Sequence, residues 1–201
     1  MASSLNPGNV SLSTLIGRPA LTVSFIGDSH MRNISKYLSK LLGNNVTYDH
    51  RARGSLTAIE FLSYMRRQFD NVASHDIVFI WISSNDVDGN PRNTGVYSHA
   101  LVASRVEEIR QYFEQKGSIT FVLGLPYLRL FPWNIEAAEY RRRANKVNKW
   151  LYNNLHGCFI KMPTACLKPH SYRKKDGCHL KKHVYSTVAN IVKKHVFASL
   201  Q

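Results

Sequence analysis

The feature that most narrows what this chain can fold into is "IVFIWI", residues 77–82, a continuous apolar run bounded by polar turns. A strand with one face in water alternates apolar and polar residues, whereas a strand covered on both faces does not. The run therefore predicts a central strand of a parallel sheet with helices on either side. The remaining pattern agrees. Leu21 to Ile26 reads as a short apolar strand. Met31 to Leu42 has helical spacing through Ile34, Leu38, Leu41 and Leu42. Val46 to Tyr48 is a brief strand, followed by a loop carrying Gly54 and a helix near Thr57 to Phe69. Ser98 to Gln115 is helical and stopped by Gly117, and Ile119 to Leu123 is the next strand.

Glu136 to Leu155 reads as a long helix, Cys158 to Met162 as a short fifth strand and Pro163 to Gly177 as a polar loop. Leu180 to Leu200 closes the chain as an amphipathic helix, with Val184, Val188, Ile191, Val192 and Val196 on one face. Such repeated alternation predicts the α/β class, a three-layer α/β/α sandwich around a parallel sheet of about five strands. Residues 1–20, rich in Asn, Pro, Gly and Ser, read as a leader or loop. Residues 21–201 read as a single domain.

A length of 201 residues suits one well-buried core. No run approaches the ~18 apolar residues of a spanning helix. The polar stretch Met1 to Pro7 lacks the basic-then-apolar pattern of a signal peptide, so the chain reads as intracellular, in the cytoplasm, or as a domain of a larger protein. Cys158, Cys166 and Cys178 are too irregularly spaced for a disulfide framework, and no two of them form a CxxC pair. Reduced thiols, no metal and no cofactor are the expectation. Charge is the anomaly of composition. Lys and Arg number 27 against 13 Asp and Glu, a formal net charge of +14. This excess favours RNA or an anionic membrane surface as partner, the alternative being a solvated basic surface.

In open parallel sheets, sites form beyond the carboxyl ends of strands. Ser29 follows the first predicted strand, Gly54 the second and Asn85 the central one, while Asp176 and His179 precede the last helix. A serine hydroxyl needs a neighbouring base before it attacks an ester, and histidine serves near neutral pH. A carboxylate must hold that imidazole in the right tautomer, and the oxyanion that forms needs preorganised donors. Ser29, His179 and Asp176 supply the first three parts. The N–H groups of Ser29 and Gly54 and the Asn85 amide supply the donors. Each also has an ordinary structural use: Ser29 as a helix cap, Gly54 as a turn glycine, Asn85-Asp86 and Asp176-Gly177 as turns.

The combination resembles the SGNH hydrolases, the GDSL-like esterases, over roughly residues 21 to 198. Gly27-Asp28-Ser29 matches the nucleophile block, with His30 where many members have leucine. Gly54 in "RARGSL" matches the glycine block. Ser83-Ser84-Asn85-Asp86 matches Gly-x-Asn-Asp except that Ser83 replaces the glycine, and Asp176-Gly177-Cys178-His179 matches Asp-x-x-His. The resemblance implies a flavodoxin-like sandwich and hydrolysis of esters by a serine nucleophile. The elbow Gly-x-Ser-x-Gly is absent, since "GDSHM" ends in methionine. The basic composition with Gly-Asp-Ser-His and Asp-Gly-x-His-Leu is also similar to the esterase domains of LINE-type retrotransposon first-open-reading-frame proteins. That likeness implies an RNA–protein assembly as the setting.

"GLPYLRLFPWN", residues 124–134, offers Leu125, Tyr127, Leu130, Phe131 and Trp133 as a wall for a lipid or acetylated substrate, or else as loop packing. Arg142, Lys146 and Lys149 share a helical face and form a candidate stripe for nucleic acid or another anion. The competing function is a binding module on a hydrolase fold. Binding RNA needs no Ser29, Asp176 or His179, so their joint presence favours the enzyme.

Overall fold

The computed structural model describes residues 21–42, 46–68, 76–88, 97–127, 135–168 and 178–199. The expected leader, residues 1–20, lies outside them. Five parallel strands form one sheet in the order β2-β1-β3-β4-β5. They are β1 (Leu21–Gly27), β2 (Val46–Ala52), β3 (Ile77–Trp81), β4 (Ile119–Leu123) and β5 (Phe159–Ile160). The helices among the described residues are α1 (Ser29–Leu42), α2 (Ala58–Gln68), α3 (Ser84–Val87), α4 (His99–Gln115), α5 (Ala137–Asn154) and α6 (Lys182–Ser199). α1 packs against α6, and α4 against both α2 and α5, which gives the sandwich its two helical layers. This is the α/β architecture expected from the alternation of elements.

Every residue of β3 is buried, as its uninterrupted apolar sequence requires. The parallel register sets Phe25, Phe79 and Phe121 side by side on adjacent strands. Their rings stack at 6.1 and 5.3 Å, and His195 of α6 covers Phe121 at 5.7 Å. Such aromatic pairs contribute roughly 0.5–1.5 kcal/mol each beyond burial. At the opposite end of β1, Asp76 joins the starts of two strands: its Oδ2 accepts from the Thr22 N–H at 2.7 Å, and its own N–H donates to the Thr22 carbonyl.

β2 is longer than the three residues expected, because it pairs with β1 along its whole length, from Leu21↔Val46 to Gly27↔Ala52. Asp49, His50 and Arg51 hide it from an apolar-pattern reading, and main-chain pairing with β1 overrides that pattern. β5 is shorter than expected, two residues in place of five. The expected polar loop after it contains a 3₁₀ turn at Thr164–Leu167 that buries Cys166.

Beyond β3 the chain turns sharply into α3. Ser83 makes that turn at φ 90°, ψ 1°, with no solvent exposure and, among the described residues, no hydrogen-bond partner for its hydroxyl. Its carbonyl starts α3 by accepting the N–H groups of Asp86 and Val87. A non-glycine residue held there costs on the order of 1 kcal/mol, and the SGNH motif has glycine at this place. Ser83→Gly should therefore stabilise the fold by roughly 1 kcal/mol, seen as a higher urea midpoint. A bulky β-branched residue at 83 should lower it.

Candidate active site

β1 ends on Gly27, whose φ of 153° and close neighbours exclude any side chain: a Cβ there would stand 1.9 Å from the Trp81 carbonyl oxygen. The close approach lets the Asp28 N–H donate to that carbonyl at 3.0 Å. Asp28 then caps α1, its Oδ1 accepting the His30 N–H at 2.8 Å, while its carbonyl accepts the Arg32 N–H. The capping use considered for Ser29 thus falls to Asp28. Ser29 occupies the first position of α1, half-buried, at the positive end of the helix dipole.

The loops after β2 and β3 are tied to this turn. The Arg53 N–H donates to the Gly27 carbonyl at 3.0 Å, which holds the Gly54 turn against the end of β1. Asn85, in the first turn of α3, donates from Nδ2 to the Leu56 carbonyl at 2.9 Å, and the Asp86 carboxylate accepts the Ala58 N–H. α2 starts on a capping box in which Glu60 Oε2 accepts from the Thr57 N–H and hydroxyl. Gly54, Asn85 and Ser29 therefore stand on loops that bond directly to one another.

His179 reaches the same edge from the other end of the chain. It precedes α6 beside the buried Leu180, and its ring lies 5.8 Å from that of His30. His30 is itself buried, stacked on Trp81 at 5.2 Å, with Nδ1 3.1 Å from the Tyr185 hydroxyl. Asn33 donates to the Ser29 carbonyl at 2.9 Å and toward the Tyr185 hydroxyl at 3.4 Å. The first turn of α1 and the start of α6 are thereby locked together. Sequence reasoning noticed His30 only as a departure from leucine and passed over Tyr185, Asn33 and Trp81. No spacing rule relates a helix start to a residue more than 150 positions later. Asp176 lies outside the described residues.

The two carboxyls behind the loops are electrostatically unusual. Burial pushes Asp28 up to about 7, opposed by hydrogen bonding from the His30 N–H and from Ser84. Burial also raises Asp86 to about 7, opposed by the Ala58 N–H. Among the described residues no group of His, Cys, Asp or Glu is placed to hold a metal ion, and the three cysteines form no disulfide with one another.

The expected substrate wall is not assembled from Leu125, which is 1% exposed. Asn148 clamps its main chain, accepting from the N–H at 2.7 Å and donating to the carbonyl at 3.0 Å, so the side chain packs into the core. Tyr127 instead lines a cavity of about 240 Å³ with Lys149, Tyr152 and Phe159. Leu130, Phe131 and Trp133 lie outside the described residues. In the basic stripe, Lys146 and Lys149 are exposed, whereas Arg142 is engaged with Glu139 at 2.7 Å. Glu139 also pairs with Arg143 and is held down at about 2 by these two partners.

No family model matches the chain, and no curated protein matches it in sequence. Solved structures match its fold. A GDSL-like lipase from Bacteroides thetaiotaomicron aligns with a TM-score of 0.67 at 19% identity, over 89% of this chain and 88% of the lipase. The native aryl esterase of M. smegmatis gives 0.68 at 12% identity, over 89% and 99%. A lipase/acylhydrolase from Enterococcus faecalis gives 0.64 at 12% identity, over 90% and 97%. The chain has the fold of these hydrolases.

The raised Asp28 sets a pH dependence. Its folded pKa lies above its unfolded value of 3.8, so the folded state holds the proton more tightly. Its effect on stability then becomes less favourable as pH rises from about 4 to about 7, and levels off above. Asp28→Asn removes this component. The stability of the variant relative to the native protein should rise between about pH 4.5 and about pH 7.5 in urea titrations. A pH-independent difference would show that Asp28 is ionised throughout.

Proposed function

We propose that the protein is a serine esterase acting on carboxylic esters. Ser29 is the nucleophile, His179 the general base and Asp176 the carboxylate that orients it. The N–H groups of Ser29 and Gly54 and the Asn85 amide stabilise the oxyanion. The observation that carries this reading is the bonding of the β1, β2 and β3 exit loops to one another around Ser29, with His179 set against His30 from the segment that precedes α6. The lipase and esterase neighbours support the same chemistry.

In this reading Ser29 Oγ attacks the ester carbonyl carbon while His179 takes the hydroxyl proton. The carbonyl oxygen becomes an oxyanion at the positive end of α1, where helix dipole and N–H donors lower its energy. Collapse breaks the carbon–oxygen bond, and the alcohol leaves with the proton from His179. Water, deprotonated by His179, then attacks the acyl-serine; the bond to Ser29 Oγ breaks, His179 returns the proton to Oγ and the acid leaves. Asn85 has a second task, since one of its two N–H groups already holds the Leu56 carbonyl and hence the loop bearing Gly54.

The basic surface supports an added property. Lys146 and Lys149 project from α5 unshielded, and the net charge of +14 favours RNA or an anionic membrane. That surface fits the retrotransposon setting the motifs resemble, and it is also what a pure binding module would need.

Mutation separates the two functions. Ser29→Ala should remove turnover of p-nitrophenyl esters by several orders of magnitude while leaving RNA retention and thermal stability as they are. Native-like hydrolysis by purified Ser29→Ala would name another nucleophile. Asn85→Ala should lower kcat by roughly 10²–10³, together with some loss of stability from the freed Leu56 carbonyl. A native protein that binds RNA but hydrolyses neither short nor long acyl esters would be a binding module.

A further inference from the structure

The edge that carries Gly54 also carries two arginines that form no ion pair with a described residue. Arg32 lies one turn beyond Ser29 on α1, and its side chain reaches across to the β2 exit loop. Both of its terminal nitrogens lie 3.8 Å from where a Cβ on Gly54 would stand, so the fork of the guanidinium faces the glycine. Arg53 adjoins Gly54 in sequence and is exposed. Neither arginine makes an ion pair with a described residue, in contrast to Arg110, Arg142 and Arg143.

Between this loop and α2 lies a cavity of about 460 Å³, lined by Arg53, Gly54, Glu60, Ser63 and Tyr64 among others. A second cavity of about 260 Å³ shares Arg53 and Tyr64 and adds Arg51. The lining carboxylate, Glu60, has its Oε2 occupied by Thr57 in the capping box. Asp86, behind the loop, is raised to about 7 by burial, so below that pH it adds little negative charge. Arg32 and Arg53 together outweigh the charge of Glu60 at the mouth, and their donors are planar forks suited to a carboxylate or phosphate oxygen pair.

We propose that the Gly54 cavity binds an anionic group of the substrate, read by Arg32 and Arg53, so that the preferred esters carry a carboxylate or phosphate close to the scissile bond. This rests on the esterase reading, because it places the anion beside the Gly54 oxyanion donor. Among neutral esters the two guanidiniums meet no complementary charge. On an anionic ester each contributes a charge-assisted contact, screened by water because both are exposed.

The test compares matched ester pairs on the full chain at low salt. In one arm the acyl group is charged, mono-p-nitrophenyl succinate against p-nitrophenyl butyrate. In the other the alcohol is charged, 4-acetoxybenzoate against phenyl acetate. The charged member of at least one pair should have the higher kcat/KM, and which pair it is locates the anion on the acyl or the alcohol side. Arg32→Glu and Arg53→Glu should each reduce that charged-to-neutral ratio by roughly fivefold. Arg32→Lys should keep part of it, and added salt should erode it. Turnover of the neutral esters with no charged preference in either arm, or a preference untouched by both reversals, would overturn the anionic-substrate proposal alone. No turnover of any of the four esters would overturn the esterase reading and this proposal with it.

Discussion

The contact on which the site depends is the main-chain approach of β1 to β3 at Gly27 and Trp81. These are the strands on which the direction of winding reverses, and the Asp28 N–H reaches the Trp81 carbonyl only because residue 27 has no Cβ. Asp28 is then fixed as the cap of α1, and Ser29 is presented on the first turn at the strand edge. The Gly27 carbonyl in turn receives the Arg53 N–H. One glycine thus positions α1 and the neighbouring loop together. A side chain there would force the two strands apart and move both.

Around that contact the molecule places polar groups where burial works against them. Asp28 is sealed from solvent, Ser83 sits at positive φ, and among the described residues neither its hydroxyl nor Trp81 Nε1 finds a hydrogen-bond partner. Locally unfavourable choices of this kind gather where a fold is shaped for something other than stability. The stacking of His30 on Trp81 and its pairing with Tyr185 fill the space beneath His179 with rigid groups. In the proposed esterase this rigidity keeps the base from drifting, and a leucine at 30 could fill the space but not bond Tyr185. The arginines beside Gly54 add a positive field at the mouth, where an oxyanion and an anionic substrate would both gain from it.

The parallel order of elements was legible because burial on both faces leaves a plain mark, "IVFIWI", and because amphipathic helices repeat their apolar residues every third or fourth place. The placement of Ser29, Gly54 and Asn85 at neighbouring strand exits was legible from the alternation of elements, and strand exits are where open sheets form sites. Leu125 was left open between substrate wall and loop packing, and packing won because the amide of Asn148, more than 20 residues away, holds its backbone inward. The extent of β2 was hidden for a related reason, since an edge strand with polar residues gains its order from pairing and not from its own pattern.

By itself the amino-acid sequence determined the class of fold, the order of strands and helices and the residue types available at each strand exit, because these follow from local periodicity and short motifs. Only the tertiary structure decided which partner each group would have. Asp28 and not Ser29 caps α1, Asn85 holds Leu56, His30 bonds Tyr185, and Arg32 faces Gly54 while Arg142 is engaged with Glu139. The Arg142 pairing is a helical neighbour at three residues and was within reach of pattern reading. The others depend on which strands become neighbours and how closely their backbones approach, a property of the packed sheet that no single segment encodes.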